Sequence, residues 1–64
     1  MSNLANDFLL FLSEKTKQTG SNEFSNIDYM EFNGYEEAIS ELSRIGKIEK
    51  VNDIVGTIKI NPNK

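Results

Sequence analysis

Cysteine, histidine and tryptophan are absent from this 64-residue chain, and proline occurs once. Without thiols no disulfide can staple a small core, and without thiols or imidazoles a structural zinc site loses its usual ligands. The same absences remove the commonest general base and the thiol nucleophile. The serines and carboxylates that remain stand in no nucleophile, phosphate-loop or metal-binding spacing. No catalytic residue, cofactor or metal site is therefore read, and no small-molecule ligand or enzymatic activity is expected. No apolar run approaches the roughly 20 residues of a membrane span, and no charged segment followed by an apolar core opens the chain. Neither a membrane partner nor a signal peptide is expected, and the expected compartment is the cytoplasm, in keeping with the missing cysteine.

Positive charge is also scarce. Seven lysines and arginines face ten aspartates and glutamates, for a net charge of −3. A local basic patch can still act against an acidic whole, but the easiest reason to expect nucleic-acid binding is gone. A chain of 64 residues is one small domain, with an expected ordered core over about 4–60 and a polar tail at 61–64. Each large side chain buried contributes roughly 1.5–3 kcal/mol, while ordering each residue costs about 1.5 kcal/mol. So short a chain must pack tidily or associate, and a homodimer is one expectation. Frequent Asn, Ile and Lys fit an AT-rich coding sequence of bacterial or phage type.

What is present is organised around 33–60. Tyr35, Ala38, Ile39, Leu42 and Ile45 follow the three-and-four spacing of one helical face. Asn33 is the expected N-cap, with Glu36 at the reciprocal box position, and Glu36 and Glu37 suit the positive end of the helix dipole. Gly46 can close the helix. Beyond it the spacing turns to alternation, and residues 47–60 predict a hairpin. A two-residue turn at Asn52 and Asp53 would split the isoleucines between faces. A three-residue loop over 52–54 places Ile48 opposite Ile58, with Ile60 on the same face and Val51 paired with Val55; burial of one face favours it.

Before this unit, Ser2 or Asn3 can cap a first helix running to about Lys17, ended by Gly20. Leu4, Phe8, Phe11 and Leu12 share its apolar face beside Ala5 and Leu9, while Leu10 lies off it. Ser25 with Asp28 forms a capping-box pattern, and Phe24 and Tyr29 stand as a hydrophobic staple. This predicts a second helix of about two turns; the alternation of Ile27, Tyr29 and Glu31 leaves a strand over 25–32 as the alternative. Pro62 keeps the last strand from extending as a central one.

The order is helix, short helix, helix, glycine and two-stranded antiparallel hairpin, an α+β arrangement. With Ala38, Ile39 and Leu42 leading into Arg44-Ile45-Gly46-Lys47-Ile48-Glu49, and with Gly56-Thr57-Ile58-Lys59-Ile60 returning, it resembles the winged helix-turn-helix superfamily. The resemblance spans about 4–60 and implies a third helix that reads DNA and a wing that touches its backbone. Two functional expectations follow. The outward face of the third helix is Glu36, Glu37, Ser40, Glu41, Ser43 and Arg44, whose carboxylates would repel phosphates. The preferred expectation is accordingly a non-enzymatic protein-interaction or regulatory module of phage or mobile-element type. Its partner surface would be Val51, Ile54 and Val55 at the wing tip, with Glu37 and Glu41 on the helix and Leu10 on the first helix as a further contact. The second is a dimeric DNA-binding transcriptional regulator using Arg44, Lys47, Lys50 and Lys59. In it Lys47 and Lys59 neighbour each other on one wing face, and Lys50 lies on the other. The plainer reading of these lysines is protection of a sheet edge.

Overall fold

A computed structural model of the chain describes residues 2–52 and 54–61. The fold is α+β, in the order α1 (Asn3–Thr19), β1 (Glu23–Phe24), α2 (Asn26–Tyr29), α3 (Tyr35–Arg44), β2 (Ile48–Asn52) and β3 (Thr57–Ile60). Asp53 of the expected loop, and Pro62 with the rest of the expected tail beyond Asn61, lie outside the described residues.

Helix α1 begins on Ser2, whose Oγ accepts the Ala5 N–H at 3.1 Å. It runs past Lys17 because the Thr16 and Thr19 hydroxyls bond back to the carbonyls of Leu12 and Lys15, holding the last turn until Gly20. The expected stripe is the buried one: Ala5, Phe8 and Leu12 are fully covered, and Leu4, Leu9 and Phe11 pack beside them. Helix α2 keeps its box, with the Ser25 N–H donating to Asp28 Oδ2 at 3.0 Å. Phe24 and Tyr29 are both buried. The helix alternative therefore holds over its first residues, but it lasts four residues rather than two turns. A turn follows, because the chain must reverse into α3.

Two corrections concern α3 and the sheet. The N-cap of α3 is Gly34, not Asn33, so the Asn33–Glu36 box is not made. Leu4 of α1 packs where a side chain at Gly34 would stand, which brings the first two long helices together. With no side-chain cap, Glu36 and Glu37 are left as the groups that complement the helix dipole. At the other end Gly46 takes φ +82 as expected. The Lys47 N–H bonds the Leu42 carbonyl at 2.9 Å and the Gly46 N–H bonds Ser43 at 3.2 Å. This is the paired closure that a left-handed residue permits.

The sheet has three strands rather than two, in the order β1-β3-β2. Phe24, expected only as part of a staple, and Glu23 before it pair antiparallel with Ile58 and Lys59 respectively. Asn22 fastens the same edge: its carbonyl accepts the Ile60 N–H at 3.0 Å and its Nδ2 donates to the Ile60 carbonyl at 3.3 Å. The hairpin register also differs. Ile48 faces Ile60, Glu49 faces Lys59, Lys50 faces Ile58, and Asn52 faces Thr57, with an irregularity between Lys50 and Asn52 that absorbs Val51. Val51 and Val55 are consequently not a pair; β2 ends at Asn52 and β3 begins at Thr57. The ladder from the Ile48 and Ile60 pair to the Lys50 and Ile58 pair is regular and already keeps Ile48, Ile58 and Ile60 on one face; the inserted residue lies beyond it, toward the loop. Asn52 supplies the reason for the longer loop, since its Oδ1 accepts the N–H groups of Ile54 at 2.9 Å and Val55 at 3.3 Å.

The core lies between the helices and this sheet face, where Phe24, Tyr29, Ala38, Ile39, Leu42, Ile48 and Ile58 join the α1 stripe. Aromatic rings knit the helices: Phe8 lies 4.9 Å from Phe32 at 63°, and Tyr29 lies 5.3 Å from Tyr35. Offset and edge contacts of this kind add about 0.5–1.5 kcal/mol beyond area burial.

Candidate functional site

The hairpin loop is held from two sides. From within, Asn52 bonds the Ile54 and Val55 amides. From α2, the Asn26 N–H donates to the Val55 carbonyl at 3.3 Å, and the Tyr29 hydroxyl donates to the Gly56 carbonyl. Burial, and secondarily the neighbouring Tyr35, push the Tyr29 hydroxyl above its ordinary value of 10.0, so it stays a donor at neutral pH. These bonds hold a loop whose apolar side chains face water. Ile54 is 96% exposed, and Val51 and Val55 are half exposed.

The sequence reading missed that α2 also exposes apolar side chains. Ile27 is 76% exposed and Met30 is mostly exposed. Ile27 follows Asn26, whose N–H bonds the Val55 carbonyl. A helix of one turn gives no periodicity from which its outward residues could be read. Leu10 is 60% exposed, among the outward polar residues of α1 rather than on the hairpin.

Next to the loop is an open hollow of about 170 Å³, lined by Tyr29, Ile39, Lys50, Asn52, Thr57 and Ile58 with the Gly56 backbone. Ile39 and Ile58 are its aliphatic lining, and Tyr29, Lys50, Asn52 and Thr57 bring polar groups to it. For scale, a cavity of about 150 Å³ lined by apolar side chains accepts benzene.

On α3, Glu37 is exposed in the first turn. Glu41 instead bonds back to the start of α1. Its Oε2 accepts the Ser2 N–H at 2.6 Å. The Ser2 amide first, then its hydroxyl, and least of all Arg44, hold the Glu41 carboxyl below its ordinary value. Glu41 thus ties the start of α1 to α3, and its carboxylate is partly committed inside the molecule.

The four basic residues are not gathered into one stripe. Lys59 is half-buried in the middle strand, with Glu49 directly across on one side and Glu23 on the other. The expected Lys47–Lys59 pairing is displaced, because Glu49 takes the position opposite Lys59 while Lys47 bonds through its carbonyl to the Asn61 N–H at 2.9 Å. Lys50 lies opposite Ile58, on the core-facing side. Arg44 is exposed in the last turn of α3. Elsewhere Lys15 sits 5.1 Å above the Phe11 ring and 4.0 Å from Glu31, and Lys17 lies 3.6 Å from Glu14.

Among the described residues, no group of three or more His, Cys, Asp or Glu is placed to hold a metal, and no helix is long and apolar enough to cross a membrane. Compared with protein families, curated proteins and solved structures, the chain matches none of them.

Proposed function

We propose that this chain is a non-enzymatic protein-interaction module on a winged-helix-like scaffold, acting through its hairpin loop. One observation carries the reading: four hydrogen bonds, two from Asn52 and two from α2, brace a loop that presents Ile54 almost wholly to water. A braced loop loses little conformational freedom on binding, so its apolar side chains can contribute fully to contact with a partner. Val51 and Val55, close to Ile54 in the chain, are also half exposed, and exposed apolar residues grouped together mark interaction sites. The winged-helix description rests on the order of helix, short helix, helix, glycine closure and hairpin, with β1 added to the sheet. DNA binding through Arg44, Lys47, Lys50 and Lys59 fits less well, because Lys59 lies between two glutamates and Lys50 on the opposite face.

The test is capture from nuclease-treated lysate with the parent chain as bait, compared with the double variant Val51→Ser, Val55→Ser. Both positions are half exposed, so the variant should keep the parent's circular dichroism and lose the captured partner. Equal capture by both baits would remove the loop from the interface.

A further inference from the structure

The turn between α2 and α3 carries the chain's single Asn–Gly pair, Asn33-Gly34. We propose that this pair is a site of spontaneous deamidation, and that its isoaspartate product loosens the turn from α1. The site shares no residue with the hairpin loop. Asn33 is exposed and lies outside α3, and Gly34 takes φ +89 with no side chain to shield its nitrogen. A glycine there lets the peptide between the two residues turn to meet the carboxamide. Among the described residues no hydrogen bond holds the Asn33 carboxamide or the Gly34 N–H. The other described asparagines are restrained. Asn3 and Asn6 stand in α1 and Asn26 in α2. Asn22, Asn52 and Asn61 commit their carboxamides to backbone groups at 3.3, 2.9 and 3.1 Å. Each of these is also followed by a residue with a side chain.

The Gly34 nitrogen, giving its proton to water, attacks the side-chain carbonyl carbon of Asn33. The new N–Cγ bond closes a cyclic imide, and ammonia leaves with a proton returned from water. Water then opens the ring. Cleavage of the N–Cγ bond leaves aspartate at position 33; cleavage at the main-chain carbonyl leaves isoaspartate, with the chain running through Cγ. In sum one water is consumed and one ammonia released, with no change of oxidation state. The two products act differently on the fold. Aspartate adds a negative charge just before the first turn of α3, where the helix dipole favours it as it does Glu36 and Glu37. Isoaspartate lengthens the main chain by one carbon between two fixed points. On one side Phe32 packs 4.9 Å from Phe8 and 5.3 Å from Phe11. On the other, Leu4 carbons stand 3.1 and 3.2 Å from where a Cβ on Gly34 would be, and the Gly34 carbonyl accepts the Ala38 N–H. Both points are packed on α1, so the added atom displaces one of them.

The test is incubation of the full chain at neutral pH and body temperature for several weeks, followed by peptide mapping. Mass spectrometry reads amide loss, and chromatography separates the two acids. The parent should convert at Asn33 at least about tenfold faster than at Asn3, Asn6, Asn22, Asn26 or Asn52, a difference of about 1.4 kcal/mol in barrier. Its isolated isoaspartate fraction should melt at least about 5 °C below the fresh parent. Asn33→Ser, at an exposed position, should start with the parent's melting temperature and keep it through the same incubation. Asn33→Asp, freshly made, should melt no lower than the parent. Conversion at Asn33 no faster than elsewhere, or an Asn33 that stays intact while the urea-denatured chain reacts there, would overturn the proposal. So would an isoaspartate fraction that melts with the fresh parent, or an Asn33→Ser variant that loses stability as the parent does.

Discussion

Gly56 and Tyr29 decide how the loop is held. Gly56 has φ +70, and a side chain there would come within 2.9 Å of the Tyr29 hydroxyl oxygen. Gly56→Ala should therefore cost both backbone strain and a displaced tyrosine, about 2–4 kcal/mol by urea unfolding. Gly46→Ala supplies the control: the conformation is equally left-handed, but nothing lies within 4 Å, so only about 1–2 kcal/mol should be lost. Tyr29→Phe removes one hydrogen bond and should cost about 0.5–1.5 kcal/mol. Glu41 gives a pH dependence. Its carboxyl titrates lower in the folded chain than the ordinary 4.5, so its contribution is present above 4.5 and fades as pH falls through the lower folded value. Parallel urea titrations of the parent and Glu41→Gln should converge in that acid range and diverge above it. The Ser2 contact behind this was not legible in the sequence, since it joins residues 39 apart through a backbone amide.

At the scale of elements, what could be read was what repeats. Helix α1 offered nearly five turns of apolar spacing and α3 nearly three, and their buried faces follow their patterns except at Ile45, which lies past the end of α3 and is 48% exposed. The closing Gly46 was readable because only glycine is comfortable in that conformation. Strand β1 was not, because two residues cannot show alternation, and its identity comes from pairing with a strand far along the chain. The hairpin register failed for a related reason. Placement of Ile48, Ile58 and Ile60 on one face was anticipated, but a register moved by two residues, with Ile48 against Ile60, satisfies that demand equally. Strand β1 should matter despite its length: Phe24 is buried against Ile58, and Phe24→Ala should cost about 3–5 kcal/mol, enough to unfold much of so small a domain at room temperature.

Across the whole molecule, several lysines stand near glutamates. Glu23 and Glu49 bracket Lys59, Glu31 approaches Lys15, and Glu14 approaches Lys17, while α3 turns Glu36 and Glu37 outward. Exposed pairs like these contribute little stability. Their larger effect is to break up any continuous positive surface on a chain of net charge −3. The exposed apolar loop was legible as a cluster of Val51, Ile54 and Val55; its bracing was not, because it depends on α2 reaching the hairpin. The central claim is that this surface serves contact with protein and not with phosphate. Fluorescence anisotropy of a labelled mixed-sequence duplex titrated with the parent chain, between about 200 and about 50 mM salt, tests it most directly. No saturable binding at either salt is the predicted result. Binding that tightens steeply as salt is lowered, and that weakens when Arg44 and Lys47 are replaced by glutamine, would contradict it.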